Sequence, residues 1–139
     1  MSYQASVALQ GAVYLALRTD PALAALIGDA VYDAMPVAAP SGVYVSLGPE
    51  EVVDLSDSGG EAARHDFVVS VLAGTDEAAG FRAVKEAAVA VSAALEGADL
   101  VTDTGRVAGL WFLRARAKRV ENGAERRVDL TFRALMDLA

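Results

Sequence analysis

The stretch VAGLWFLRARAKRVENGAERRVDLTFRALMDL, residues 107–138, decides how this chain folds. It divides at Asn122-Gly123 into two strand-like runs, 107–121 and 124–138. Asn-Gly favours the type I′ hairpin turn, because both central residues need positive φ. A two-residue loop also sets the register. Glu121 then faces Ala124, and each step away from the turn pairs the next residues outward. In that register Trp111, Leu113, Ala115 and Ala117 lie opposite Ala134, Phe132, Leu130 and Val128, and this apolar side is expected to face the core. The other side collects Arg114, Arg116, Lys118, Arg127, Asp129 and Arg133. Arg116 stands opposite Asp129, a favourable cross-strand pair, and Lys118 opposite Arg127, an unfavourable one.

Working back from the hairpin, the pattern turns helical. Phe81, Val84, Ala88, Val91 and Leu95 recur at i, i+3, i+4 spacing, which predicts a helix from a cap at Thr75 or Asp76 to about Glu96. Residues 65–73 read as a strand with Phe67, Val69 and Val71 on one face, and residues 43–48 as another. Between them, residues 49–63 are acidic and turn-rich and are expected to form a long loop. Val31-Tyr32 reads as a short strand. Residues 4–18 read as a helix, with Leu9, Val13, Ala16 and Leu17 on its apolar stripe. Asp20 and Pro21 then cap and start a second, short helix to about Ile27, which Gly28 ends. The fold class expected is α+β. A mostly antiparallel sheet with the C-terminal hairpin packs against two main helices on one face, in a single domain over residues 1–139.

Composition narrows the chemistry. The chain has 139 residues, is 54% hydrophobic and has no cysteine, so disulfides and thiolate metal sites are excluded. No apolar run approaches the about 20 residues of a membrane span. Met1–Gln10 lacks the pattern of a secretory signal. The single histidine, His65, has no nucleophile constellation around it and reads as structural. No G-x-S-x-G elbow and no P-loop occurs. No catalytic residue, cofactor site or metal site is therefore expected, and the chain does not read as an enzyme. Glu50, Glu51, Asp54 and Asp57, in the loop that also holds Glu61, could offer oxygen ligands to a hard cation. The calcium-loop spacing is absent, however, and a solvated or partner-contacting loop is the preferred reading.

The charge is unevenly placed. The formal net charge is −7. Residues 1–105 hold four basic side chains against fifteen acidic, whereas residues 106–139 hold eight basic against four acidic. This suits a subunit with opposite poles that associates head to tail. Arg114, Arg116, Lys118, Arg127 and Arg133 are the candidates for a subunit interface or a channel lining, and the acidic loop is the candidate partner contact. A solvated basic sheet face is the alternative. Specific nucleic-acid binding is not indicated, because the chain is acidic overall and no aromatics other than Phe112 interleave with the arginines.

The order of these features resembles a known family. Residues 9–48, LQGAVYLALRTDPALAALIGDAVYDAMPVAAPSGVYVSLG, look like the opening of the tail-completion, or tail-terminator, proteins of long-tailed phages. Asp20-Pro21-Ala22-Leu23, Gly28, Val31-Tyr32-Asp33 and Pro36/Pro40 to Tyr44-Val45 stand in the family's places. Gly42-Val43 departs from it, where a proline more often precedes the tyrosine. RHDFVVSVLAG (64–74), the Ala-rich helix and the arginine-rich strand pair continue the likeness. The style is similar to the version found in alphaproteobacterial gene transfer agents. The resemblance implies a structural virion component that forms a ring, commonly hexameric, at the head-proximal end of the tail tube. It implies contacts with the tail-tube protein and a head-completion or stopper protein, assembly in the host cytoplasm, and DNA passing through the ring unread. Another head–tail joining or tail-tube protein is the alternative within that class. A small cytoplasmic ligand-binding or regulatory domain is the alternative outside it.

Overall fold

The structure, a computed structural model, describes residues 3–38, 40–74, 80–120 and 125–138. Three helices, α1 (Ser6–Thr19), α2 (Pro21–Ile27) and α3 (Phe81–Glu96), accompany five strands. The strands are β1 (Val31–Tyr32), β2 (Val43–Asp54), β3 (Ala62–Ala73), β4 (Arg106–Val120) and β5 (Glu125–Asp137). They form one sheet in the order β1-β2-β3-β5-β4. Only β1–β2 is parallel; the other three pairings are antiparallel. The α+β class and the C-terminal hairpin expected from the sequence are both present. The Asn122-Gly123 turn and the Thr75/Asp76 cap lie outside the described residues.

The helices start and stop for local reasons. The Asp20 carboxylate accepts the Leu23 backbone N–H at 2.9 Å and so caps α2, with Pro21 at the first helical position. Gly28, at φ 66°, ends that helix in a backbone conformation that L side chains disfavour. Val45 N–H then donates to Ala30 C=O at 2.9 Å, which ties the start of β1 to β2.

One face of the sheet is the core face. Ala63, His65, Phe67, Val69, Val71 and Ala73 of β3 are buried there with Val128, Leu130, Phe132, Ala134 and Met136 of β5. Leu9, Val13 and Leu17 of α1 and Val84, Ala87, Val91 and Leu95 of α3 cover them in one cluster. Phe132 sits at its centre, stacked on Phe67 at 5.7 Å and edge-on to Phe112 at 5.9 Å.

The structure corrects the sequence reading in two places. Residues 49–63 are not one long loop, because β2 continues to Asp54 and only 55–61 connect it to β3. A register shift between Leu47 and Glu50 absorbs Gly48 and Pro49; Pro49 has no N–H to give the ladder, so a bulge is where it fits. The bulge also swaps faces, turning Glu50 to the helix side and Glu51 away.

The second correction lies in the hairpin. From Val120–Glu125 to Arg114–Thr131 the register is the one the turn dictates. It then shifts between Phe112 and Arg114, and again between Val107 and Gly109. Phe112, not Leu113, therefore faces Phe132, and Trp111 faces Arg133 rather than Ala134. Trp111 stays 49% exposed on the outer face. Its indole lies over Gly109, where a Cβ would come within 2.4 Å of the ring. Ala115 and Ala117 do keep to the helix side, yet both are exposed, because β4 is the edge strand.

Candidate functional site

The face of the sheet away from the helices is ionic, and the strand registers line its charges up in rows. Asp66 of β3 pairs in register with Arg133 of β5. The Arg133 guanidinium grips the Asp66 carboxylate through two bonds, Nε at 2.8 Å and an Nη at 3.0 Å. This fork geometry is what makes arginine a strong carboxylate partner. The donated bonds hold the Asp66 carboxyl below its ordinary range; burial opposes them, and the charges of Arg133, Arg64 and Arg114 assist. The same hydrogen bond raises the Arg133 guanidinium.

A second knot surrounds Asp129. It accepts from Ser70 Oγ at 2.7 Å and from Arg127 Nε at 3.1 Å. Lys118 Nζ lies 3.7 Å from its other oxygen. Arg127 also donates to Ser70 Oγ at 3.1 Å. The expected clash of Lys118 with Arg127 is thus resolved within the chain, because both cations clasp the carboxylate of Asp129. Arg116 stands opposite Asp129 in register as expected, but Lys118 and Arg127 take the ion pair.

This leaves a simple division among the five cations singled out in the sequence. Lys118, Arg127 and Arg133 are neutralised by carboxylates of their own chain. Arg114 and Arg116 are exposed and form no ion pair or hydrogen bond among the described residues. With Lys118, Arg127 and Asp129 they line an open hollow of about 310 Å³.

The acidic candidates are not one group. Glu50 turns inward, its side chain 22% exposed. It accepts from Ser6 Oγ at 2.8 Å and lies 3.1 Å from His65 Nδ1. His65 is fully buried and serves as a structural link between β3, β2 and α1. Glu51 is exposed on β2. Asp54 and Asp57 organise the turn, accepting from the backbone N–H of Ser56 and Gly59. Glu61 precedes β3 and is exposed. Among the described residues, no three acidic or imidazole side chains converge as a cation site requires.

Sequence reasoning missed Ser70 and the hydrophobic side of β4. Ser70 stands among apolar residues in β3, and its role depends on Asp129, 59 residues away. On the helix side, Phe112, Ala115, Ala117 and Leu130 with Ala88 and Val89 of α3 line a groove of about 390 Å³. Val89 is 69% exposed there.

The sheet is backed by helices on one side and carries paired charges in rows on the other. Residues 11–137 match the family described as tail completion protein gp17, and the chain belongs to that family: it is a structural component of a tail. It is also similar to a chain in the solved virion of a native gene transfer agent (GTA) particle. The two are 58% identical over 98% of this chain and 99% of that one, with a TM-score of 0.88. Comparison with curated proteins gives no match. The family resemblance seen in residues 9–48 is borne out.

Proposed function

We propose that the chain is the ring-forming terminator of its tail. Copies assemble, in a hexamer by expectation, on the head-proximal end of the tail tube and stop its growth. The ring presents its free side to the head-completion or stopper protein, and DNA passes through the bore without sequence-specific contacts. Assembly takes place in the host cytoplasm, and the product resides in the tail of a phage-like particle of the gene-transfer-agent kind. Membership of the tail completion family supports this reading, as does the likeness to a chain of a gene transfer agent virion.

The observation that carries the interface is the pair Arg114 and Arg116. On a face where every other candidate cation is matched internally, these two are left over. Opposed charges across an interface contribute register and partner choice more than affinity. The exposed acidic side chains of a neighbour, Glu51 and the 55–61 turn with Asp57, are the complementary surface. Asp54 and Glu61 flank that turn and extend its acidic field.

The test is the double variant Arg114→Glu/Arg116→Glu. Because both side chains are exposed and unpaired, unfolding free energy should change by no more than about 0.5 kcal/mol. Tail completion, scored as joined particles by negative-stain microscopy, should be lost. Normal particles from this variant would refute the interface. Long cylinders formed by the unmodified protein alone would make it a tube subunit instead.

A further inference from the structure

The groove on the helix side of β4 exists because α3 covers β3 and β5 but not the full width of the edge strand. Val89 and Phe112 remain 69% and 39% exposed along it, and Ala115 and Ala117 form a floor of small side chains. Its rim is cationic. Lys85 Nζ and the Arg119 guanidinium each stand 5.6 Å from the Phe81 ring centre, and neither has a carboxylate partner among the described residues.

The opposite edge of the sheet carries the matching features. After β1 the chain runs through Asp33-Ala34-Met35-Pro36-Val37. Met35 is 50% exposed and Val37 109%, so nothing among the described residues covers Val37. Pro36 holds its own φ, which lowers the entropy lost when this arm is ordered by a partner. Asp33 is exposed and has no ion pair among the described residues. The arm is therefore apolar with an acidic end, and the groove is apolar with a cationic rim.

We propose that successive copies join edge to edge, with the arm Asp33–Val37 of one copy seated in the α3–β4 groove of the next. This rests on the ring reading above and names the contact that builds it. The strand order sets β1 four spacings from β4, about 19 Å apart at the usual interstrand distance, so no copy fills its own groove with its own arm. A head-to-tail contact needs two different patches on one subunit, and these two lie on opposite edges. Groove-to-groove pairing is disfavoured, because it would bring the Lys85 and Arg119 rims of two copies together. The arginines of β4 and Lys118 also guard its open edge against indiscriminate strand addition. Side-chain docking in the groove therefore suits this edge better than sheet extension.

The chain has no cysteine, so every crosslink between two copies of it must run through the introduced thiols. Tails are assembled with Val37→Cys, Val89→Cys or the double variant, treated with a short thiol–thiol crosslinker and run on denaturing gels. The double variant should give a ladder of multimers. Each single variant should stay monomeric, and a co-assembled mixture of the two singles should give dimers only. Self-crosslinking of Val89→Cys, or intact rings without any 37–89 link, would overturn the proposal while leaving the ring reading in place. A single copy per tail, counted by quantitative mass spectrometry, would remove both. As a second measurement, Lys85→Glu should weaken ring assembly about tenfold, and pairing it with Asp33→Lys should restore it. Failure of that rescue in folded protein counts against the proposed seating.

Discussion

Replacing Trp111 with Ala tests the bulge that reorders the hairpin. Were the ladder of β4 and β5 unbroken, Trp111 would pair with Ala134 and bury its indole in the core. Loss of a buried Trp or Phe costs about 3–5 kcal/mol. In the structure Trp111 faces Arg133 on the outer side and is 49% exposed. An aromatic side chain of this size buries about 200 Å² when enclosed. Half of that, about 100 Å² at 25 cal/mol per Å², sets an upper limit of about 2.5 kcal/mol. Since Ala keeps part of the burial, about 2 kcal/mol is expected. Phe132→Ala removes a fully buried ring and should cost about 3–5 kcal/mol. For a chain of this length each kcal/mol lowers Tm by about 3 °C, so the two variants should separate by several degrees. Thermal melts followed by circular dichroism make the comparison. Trp111 is the only tryptophan, so the emission of the unmodified protein reports on it directly. That emission should be long-wavelength and quenched by acrylamide. A blue-shifted, quench-resistant emission, or a Trp111→Ala loss as large as that of Phe132→Ala, would refute the bulged register.

Two further predictions concern the carboxylates. Glu50→Ala strips partners from Ser6 and the buried His65 and should cost about 1–3 kcal/mol, whereas Glu51→Ala, on the exposed side of the same strand, should stay within about 0.5 kcal/mol; equal urea midpoints for the two would contradict the inward turn of Glu50. Asp66 has its carboxyl pKa depressed in the folded state by the Arg133 hydrogen bonds, so it contributes stability above the ordinary carboxylate pKa of about 3.9 and loses it as pH falls through the lower folded value. The stability gap between the natural protein and Asp66→Asn should be full at neutral pH and shrink below about pH 5, and a gap constant down to pH 2 in urea titrations would show that the pair contributes nothing through its charge.

How much of this was legible in the sequence follows from the range of each interaction. Helix caps, turn dipeptides and amphipathic stripes act over a few residues. Asp20-Pro21, Gly28, the stripe of α3 and the alternation of the C-terminal runs therefore determined by themselves the element order, the α+β class and the sorting of Arg114, Arg116, Lys118 and Arg127 onto one face. The ordered motifs of residues 9–48 likewise carried the family. Tertiary structure alone decided what depends on neighbours distant in the chain. The bulge at Gly48-Pro49 chose Glu50 over Glu51 for His65, and the bulges in β4 turned Trp111 out and Phe112 in. A one-residue slip in a period of two exchanges the faces; Pro49 marks the slip in β2, but no proline or glycine marks the one between Phe112 and Arg114 in β4. Which cations are satisfied was decided largely in the same way, because Asp66 reaches Arg133, and Asp129 reaches Ser70 and Lys118, only once β3, β5 and β4 lie side by side. Arg114 and Arg116 stand apart from Lys118, Arg127 and Arg133 for that reason, not by residue type.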